Sequence, residues 1–571
     1  MAEAIISPGV FQIESDQSLY TQNPPALGAA IVGPTVKGRP MVPTYVTTYS
    51  QYLSVFGDTF KSGSYYYEYL TSMAARDYFS NGGKSLLVTR IISGSTNIST
   101  YATSNVPAVM NAASTSFQLE VLSWGNQMNN TSSMVSGALE SGSAYNVRWE
   151  VTNTNTGSGT FTLVIRRGDD NNSQKNILET WANMSLDPQL PNYISRVIGD
   201  LKPVYNVTNA YVEFTGSYVN ASQYVRVASV TTPHVDSIDN NGNFKATQYS
   251  GSLPAVGSGS YGGSFNGGVA ATSTTQAMNE NITSTNIQGF HPNDYNTAFT
   301  LLTNKDEYRF NILLAPGVVL GSGADDDMIA CVEGRGDAIA IVDNSVYGTS
   351  IVSATTAAGG SSSNYAATYY PWIQLYSSNL GKTVWCPPST IMGGVLAFND
   401  QVGAEWFAPA GLNRGGIPSV VRAERRLQQS DRDTLYSANV NPLATFPGSG
   451  VCVWGQKTLQ RKPTALDRVN VRRLLIALKD FIGGVSRTLV FEQNTTVTRN
   501  RFLSQVNPYL ESVVQRQGLY AYKVIMDDTN NTADVVDRNQ LVGQIYIQPT
   551  KTAEYIILNF NIQPTGVQFP S

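Results

Sequence analysis

The sequence predicts a multidomain protein of α+β and α/β type. An α/β core carries an inserted antiparallel β-sandwich or barrel and is followed by an α+β C-terminal domain with terminal strand arms. Three observations lead to this prediction. The 571 residues are too many for one hydrophobic core. Buried strands alternate with helices in two separated stretches, as in a doubly wound sheet. Between those stretches lie short alternating strands separated by turn-forming residues.

The first part of the α/β core is predicted in residues 23–93. Residues 65–81 have apolar side chains at helical spacing and end at Gly82-Gly83, a frequent helix stop. The run LLVTRII at residues 86–92 follows as a buried strand.

The second part of the core is predicted in residues 287–440. Residues 310–315 and 338–343 are apolar runs that predict buried strands, and residues 325–334 between them predict a short helix. Because this pattern resumes after a strand-rich interlude, we interpret residues 94–286 as an insertion. Loop closure entropy grows slowly with length, so an insertion at a surface loop costs little.

The C-terminal domain is predicted in residues 441–552. Residues 466–482 are predicted to form an amphipathic helix, and residues 498–517 a second helix in which Pro508 predicts a kink or a short break. Strands follow at 520–526 and 543–548. Residues 555–563 alternate apolar and polar side chains with period two, which predicts one more strand.

The two chain ends are predicted to be linking arms, residues 1–22 and 553–571. A strand at a chain end leaves an unpaired edge, which another subunit can use. The arm residues are Val10, Phe11, Gln12 and Ile13 at one end and Tyr555, Ile556, Ile557, Leu558, Phe560 and Ile562 at the other.

The composition argues against a nucleic-acid-binding, disulfide-rich, secreted or membrane-spanning protein. Charged residues make up 14% and the net charge is −4, whereas nucleic-acid binders usually carry a basic excess. The three cysteines are widely spaced and predict neither a disulfide framework nor a metal site. The N-terminus shows no basic region followed by an apolar run, and no stretch approaches about eighteen apolar residues. We therefore expect no signal peptide and no membrane insertion.

Three motifs suggest a catalytic or ligand-binding site, but the predicted elements around each of them do not suit that site. Asn81-Gly-Gly-Lys84-Ser85 follows a helix and precedes a strand, the reverse of a phosphate loop. His234 and His291 both lie outside a strand–turn–helix setting, so no Ser-His-Asp triad is expected. Residues 325–327, all Asp, are better explained as an acidic first helical turn than as a cation site. We expect no catalytic residue, no metal and no cofactor.

Arg468, Arg472 and Lys479 lie on one edge of the predicted helix 466–482, beside its apolar face. Two interpretations stay open. The side chains are cations at a core margin, with their stems over apolar surface. Alternatively, they form a basic stripe for an acidic partner.

Further motifs follow one another along the chain. They are SPGVFQIE at 7–14, AIVGPTVKG at 30–38, YYYEYLTSMAARDYFSNGGKSLLVTRI at 65–91, LSWGN at 122–126, APG at 315–317, CVEGRGD at 331–337, YPW at 370–372, PPS at 387–389, WGQKTL at 454–459, VRR at 471–473, FEQN at 491–494 and KTAEY at 551–555. In this order and spacing they resemble contractile tail sheath proteins of bacteriophages. The region that departs from the pattern is the insert.

The resemblance implies a structural virion protein. Sheath proteins stack around a rigid tail tube, their terminal arms add strands to the C-terminal domains of neighbours, and contraction drives the tube through the host envelope. It implies self-assembly, contacts with tube, baseplate and tail terminator proteins, and no direct nucleic-acid contact. The middle domain is expected to be subtilisin-like in fold only, the insert to face outward, and the helix with Arg468, Arg472 and Lys479 to face the tube.

Three rival interpretations stay open at this point. The chain is the sheath of a phage-derived injector, such as a tailocin or a secretion-type system. Less plausibly, it is an α/β hydrolase, or a β-sandwich adhesin or decoration protein.

Overall fold

The computed structural model describes residues 27–62, 65–92, 101–107, 115–206, 209–231, 240, 241, 243, 253–260, 262–268 and 277–557. Within these ranges, no helix has both the length and the apolar composition needed to cross a membrane.

The elements are numbered in chain order. Residues 27–92 contain β1 (Ala29–Gly33), β2 (Thr44–Val46), α1 (Tyr49–Phe56), β3 (Thr59–Ser62), β4 (Tyr65–Glu68), α2 (Leu70–Ser80) and β5 (Leu86–Arg90). Residues 101–231 contain β6 (Tyr101–Pro107), β7 (Thr115–Trp124), β8 (Met134–Val135), β9 (Ala138–Leu139), β10 (Val147–Asn155), β11 (Thr160–Arg167), β12 (Ile177–Ser185), α3 (Ile194–Ile198), β13 (Lys202–Asn206), β14 (Tyr211–Thr215) and β15 (Val225–Val230).

The chain then returns to alternating helices and strands. Residues 277–453 contain α4 (Asn293–Leu302), β16 (Ile312–Val319), α5 (Ala324–Arg335), β17 (Ile339–Asp343), α6 (Ile351–Ala358), β18 (Ala366–Tyr370), β19 (Ile373–Ser377), β20 (Lys382–Cys386), α7 (Ser389–Val402), β21 (Val420–Ala423), α8 (Gln429–Ser437), β22 (Asn441–Phe446) and β23 (Gly450–Val453). Residues 454–557 contain α9 (Val469–Arg487), α10 (Thr496–Gln515), β24 (Leu519–Ile525), α11 (Ala533–Asp537) and β25 (Gln544–Pro549).

Strands from both sides of the insert join one sheet with the order β2-β5-β1-β16-β17-β18-β22-β23. The central strands run parallel, and β2 and β23 are antiparallel at the two edges. β1 lies beside β16, with Ala29 opposite Ile312. The strands β1, β5, β16 and β17 are buried along their whole length, which explains why they read as unbroken apolar runs.

The inserted region has a hydrophobic core of its own. Two three-stranded antiparallel sheets, β10-β11-β12 and β15-β7-β6, supply its side chains, among them Phe117, Trp149 and Phe161. The Trp149 indole donates a 2.8 Å hydrogen bond to Ser104 Oγ, so its one polar atom is satisfied inside the core. Arg148 and Arg166 are fully buried and share the carboxylate of Asp170.

Two predicted elements differ from the structure. Residues 65–68 are strand β4, paired with β3, and the helix begins only at Leu70. The Glu68 carboxylate is buried there and accepts hydrogen bonds from Ser72, Ser377 and Asn379, contacts that helical spacing could not reveal. β16, which was predicted to end at Ala315, continues through Pro316 to Val319. Its pairing with β17 is irregular between Leu314 and Val319, so the missing N–H of Pro316 breaks no ladder hydrogen bond.

Helices α2 and α7 pack closely against each other on one face of the sheet. A Cβ atom at Gly394 would collide with the carboxylate of Asp77, and one at Gly393 would lie 2.7 Å from Leu314. The close approach therefore requires these glycines. It also buries Asp77, whose Oδ1 accepts from Ser419 Oγ at 3.1 Å while Oδ2 has no partner. Burial raises the pKa of Asp77 to about 7, against the opposing effect of the hydrogen bond from Ser419.

Asp77→Asn is expected to stabilise the protein, more at pH 8 than at pH 5.5. A carboxyl whose pKa rises on folding favours the folded state when protonated, so that contribution is lost as the pH rises towards about 7. Asparagine stays neutral, so the gain over the native chain should grow by about 2 kcal/mol between the two pH values. Urea unfolding of both chains measures it, and an equal difference at both pH values would contradict the assignment.

Candidate assembly interface

The C-terminal helix α9 joins the assembly domain to the core. Its apolar face is buried and includes Leu474, Ile476 and Leu478. Beside that face, Arg473 makes a bidentate pair with Asp400 of α7, with N–O distances of 2.8 and 2.6 Å. A buried guanidinium matched to a carboxylate in this geometry fixes both position and orientation. The helix is therefore held rigidly against the core.

α10 covers the other side of α9 and supports a small sheet. Phe502, Val506, Leu510 and Val513 are buried against Leu474 and Leu478 of α9 and against β24. The helix continues through Pro508 instead of breaking there. Burial of the apolar residues on both sides of the proline offsets the loss of one backbone hydrogen bond.

β24 and β25 form a two-stranded antiparallel sheet, with Tyr522 opposite Ile547 and Val524 opposite Ile545. In the described part of the chain each of these strands pairs only with the other. Each strand therefore has one open edge with unpaired backbone groups. Tyr520 and Tyr546 on this sheet are 63% and 56% exposed.

The chain leaves β25 and passes back towards the core along residues 551–557. Glu554 is half-buried, whereas the other six residues of this segment are exposed. The Glu554 carboxylate accepts two hydrogen bonds from Arg468, at 2.7 and 3.0 Å, and one each from Tyr436 and Gln456, at 3.0 and 3.1 Å. Burial by itself would raise the pKa of Glu554, but the hydrogen bonds from Arg468 and Gln456 outweigh it and hold the pKa below 4.5.

Beyond Glu554 the predicted arm strand begins with three large exposed side chains. Tyr555, Ile556 and Ile557 are 77%, 79% and 84% exposed and have no secondary structure in this single chain. The strand predicted for residues 555–563 is thus not formed at these three positions in the single chain. Leu558, Phe560 and Ile562 lie outside the described residues, as do Val10, Phe11, Gln12 and Ile13 of the N-terminal arm.

The three cations of the predicted basic edge have different surroundings. Arg468 precedes α9 and pairs with Glu554 and Asp467. Arg472 is buried: its guanidinium donates to the backbone oxygen and Oδ1 of Asn364, at 3.1 and 2.6 Å, and lies 3.9 Å from the ring centre of Tyr365. A stripe of three exposed charges is therefore wrong for Arg472. Lys479 is exposed and donates to the Tyr365 hydroxyl at 3.1 Å.

The alternative chemistry motifs have structural roles where the structure describes them. Asp325 opens α5 and accepts backbone hydrogen bonds from Gly321 and Gly323, as an acidic first turn does. His291 accepts from the backbone nitrogen of Asn293 at the start of α4, and His234 lies outside the described residues. Within the described ranges, no three His, Cys, Asp or Glu side chains are grouped to hold a metal ion.

Two family models match consecutive parts of the chain. The phage tail sheath protein central domain matches residues 269–459, and the phage tail sheath C-terminal domain matches residues 461–563, together more than half of the chain. The chain belongs to the phage tail sheath family. The second match spans α9, α10, the β24–β25 sheet and the Glu554 segment, so the open-edged module is the family's C-terminal domain.

Curated relatives support the same family. The tail sheath protein of Enterobacteria phage T4 is 36% identical over 258 residues, which cover 44% of this chain and 39% of the T4 protein. The tail sheath protein of Vibrio phage KVP40 is 38% identical over 194 residues, which cover 34% of this chain and 29% of that protein. The chain thus spans less than two-fifths of the length of these relatives.

A solved structure shares the fold. The sheath tail protein of Listeria innocua superposes with a TM-score of 0.51 over 92% of this chain and 95% of its own, at 10% sequence identity. At this identity the similarity concerns the fold alone.

Arg472→Ala is expected to destabilise the chain by about 1–3 kcal/mol, because it removes a buried guanidinium that donates to the half-buried carbonyl and amide oxygens of Asn364. Lys479→Ala is the matched control on the same helix and should change the unfolding free energy by less than about 0.5 kcal/mol. Urea unfolding followed by circular dichroism compares the two. Equal effects would mean that Arg472 is a surface charge after all.

Proposed function

We propose that this chain is the sheath subunit of a contractile bacteriophage tail. In this role it polymerises around the tail tube and contracts to drive the tube through the host envelope during genome delivery. The observation that carries the proposal is the combination, in one family domain, of a sheet with two open edges and an adjacent chain end with three exposed apolar residues. Each feature is a liability in a monomer and a complement to the other between subunits.

Strand addition between subunits explains how such a lattice forms. The C-terminal arm, with Tyr555, Ile556 and Ile557 at its base, adds to the β24–β25 sheet of a neighbour, and the N-terminal arm with Phe11 and Ile13 adds to another. A groove of about 880 Å³ lies beside β25, between residues 547–555 and the start of α9, and offers space for an incoming strand. Main-chain hydrogen bonds then set the register, and a head-to-tail contact of this kind propagates as an open helix.

The remaining domains take defined places in this arrangement. Residues 23–93 and 287–440 form the middle domain, subtilisin-like in fold only, and the two sheets of residues 94–286 form an outward-facing β-sandwich. The partners are further copies of this chain, the tube protein, and the baseplate and tail terminator proteins. The chain resides in the virion tail after assembly in the host cytoplasm.

None of the three rival interpretations is preferred. The curated relatives that match are phage proteins, which favours a phage tail over a phage-derived injector. They are named as tail sheath proteins, which favours a structural role over hydrolysis. Contraction in this proposal needs no nucleotide or cofactor, because the free energy is stored in the extended lattice during assembly.

Ile557→Asp is expected to abolish polymerisation while leaving the monomer folded. The side chain is 84% exposed in the single chain, so the charge costs nothing there, but it would be desolvated in a strand that joins a neighbour's sheet. Val219→Asp is the matched control: Val219 is 78% exposed and lies in the inserted region. Negative-stain microscopy should show helical tubes for the native chain and for the control. Tubes formed by Ile557→Asp would argue against strand addition by this arm.

The tube-facing role of the basic helix edge is retained as a proposal, now centred on Lys479. Arg468 and Arg472 are engaged within the subunit, so reversing them would also damage the fold. Lys479→Glu should weaken co-assembly with tube protein, because exposed charges contribute modestly and reversibly to a contact that must release. Co-sedimentation of sheath with tube at low and high salt measures it, with Lys382→Glu, an exposed lysine of the core, as control. Equal sheath–tube binding by both variants would sink this role.

A further inference from the structure

Glu554 stands at the boundary between the folded subunit and the C-terminal arm. On one side, β25 ends at Pro549, and the Thr550 amide still bonds to the Gly518 carbonyl at 3.2 Å. On the other side, Tyr555, Ile556 and Ile557 expose their side chains. In the described part of the chain, the hydrogen bonds recorded for residues 551–557 are made by the side chains of Thr552 and Glu554, both of which contact Gln456.

The four hydrogen bonds to the Glu554 carboxylate come from three residues in separate places in the fold. Tyr436 lies on α8 of the core, Gln456 follows the edge strand β23, and Arg468 immediately precedes α9. Gln456 is itself fixed, because its backbone oxygen accepts from the amide of Val469 at 2.8 Å. Tyr436 is held by Lys457, whose ammonium group lies 4.4 Å from the ring centre and donates to the Tyr436 carbonyl at 2.7 Å. The binding groups are therefore preorganised.

We propose that Glu554 is the anchor of the C-terminal arm. The hydrogen bonds that its carboxylate accepts from Tyr436, Gln456 and Arg468, here called the clamp, fix the point at which the arm leaves the subunit and tie the arm to the core sheet. The use of the arm between subunits rests on the proposed function. The anchor itself is a property of the single chain. Glu554 is in this sense a positioning residue, which acts through the arm that follows it.

The position of the clamp separates two tasks of the C-terminal domain. The β24–β25 sheet receives strands from neighbours, whereas Glu554 ties the outgoing arm to α8 and to the residue that follows β23. A force applied to the arm is therefore transmitted through Glu554 to the eight-stranded sheet of the core and bypasses the two-stranded sheet. The small sheet can then change its partners or orientation without moving the exit point of the arm.

An ordinary surface ion pair would not do this. A single exposed pair is worth little and leaves both side chains mobile. Here the carboxylate is half-buried, accepts from two side chains besides the bidentate arginine, and sits between grooves of about 880 and 400 Å³ that leave the rest of the segment without close packing. The clamp is thus the dominant restraint on residues 551–557.

The test measures the mobility of the arm in the monomer. A fluorescent maleimide is attached to Ile557→Cys, and its residual anisotropy is recorded in the otherwise native chain and with Glu554→Ala. The native thiols do not compete: Cys331, Cys386 and Cys452 are buried, and burial raises the pKa of Cys331 to about 12 and that of Cys452 to about 11. Glu140→Ala, which removes an exposed carboxylate of the inserted region, is the matched control.

We expect residual anisotropy to fall with Glu554→Ala to the value of the same probe on the urea-unfolded chain, and to be unchanged with Glu140→Ala. The melting temperature should fall by no more than a few degrees with Glu554→Ala, because the clamp lies at the margin of the fold, and should be unchanged with Glu140→Ala. The proposal is overturned if the native chain already has the unfolded value, or if Glu554→Ala leaves the anisotropy unchanged. Glu554→Gln keeps the volume of the side chain and serves as a second variant in case Glu554→Ala misfolds. If both variants lose anisotropy only in proportion to a lower melting temperature, Glu554 is a general fold contact and not an anchor.

A second readout uses the unlabelled chains without the cysteine. Glu554→Ala should form fewer and shorter tubes than the native chain at equal concentration, because its arm samples many exit directions before it meets a neighbour. Tubes of native number and length from Glu554→Ala would overturn the positioning role. If the native chain forms no tubes at all, the proposed function fails, while the anisotropy measurement still decides whether Glu554 anchors the arm.

Discussion

The parallel pairing of β1 with β16 is the constraint on which the rest of the structure depends. It brings together two stretches of chain that the inserted region separates, and it makes one eight-stranded sheet of them. Both strands are fully buried, so their backbone groups have no water to bond and must pair with each other. The helices α2 and α7 come from opposite sides of the insert and can pack only because this pairing has placed them on a common sheet. The glycines of α7 and the buried Asp77 of α2 follow from that contact.

The C-terminal module depends on the core in turn. Arg473 reaches Asp400 on α7, and Arg472 reaches Asn364 just before β18, so α9 is fixed at two points by polar groups that the core has already positioned. α10 and the β24–β25 sheet then pack on α9. Burial therefore decreases from the core sheet to the open-edged sheet and on to residues 555–557. The proposed contacts with neighbours would be made by the part of the chain that is least buried.

Local sequence patterns were sufficient to predict most helices and strands but not the contacts between them. Helix α9 was predicted from its apolar spacing, with ends displaced by a few residues, and the buried strands were predicted from apolar runs. The strand β4 was missed because Tyr65, Tyr66 and Tyr69 also fit a helical spacing, and only pairing with β3 decides between the two. α10 was predicted as a helix with a kink or a short break at Pro508; of the two, the break is wrong, because tertiary burial outweighs a local penalty.

The candidate site shows the same division. An apolar alternating chain end predicted the arm, but nothing local to Arg472 reveals that Asn364 and Tyr365 cover it from more than a hundred residues away. Glu554 lay within a motif that resembled the family, yet its partners on α8, after β23 and before α9 meet only in the folded chain. Because Glu554 is fixed, it also limits how far the arm can reach. The eight residues from Tyr555 to Ile562 span at most about 29 Å when fully extended. In the proposed lattice, any sheet that these residues join must lie within that distance of the point where Glu554 is held, so covalent geometry sets an upper limit on the spacing between subunits before and after contraction.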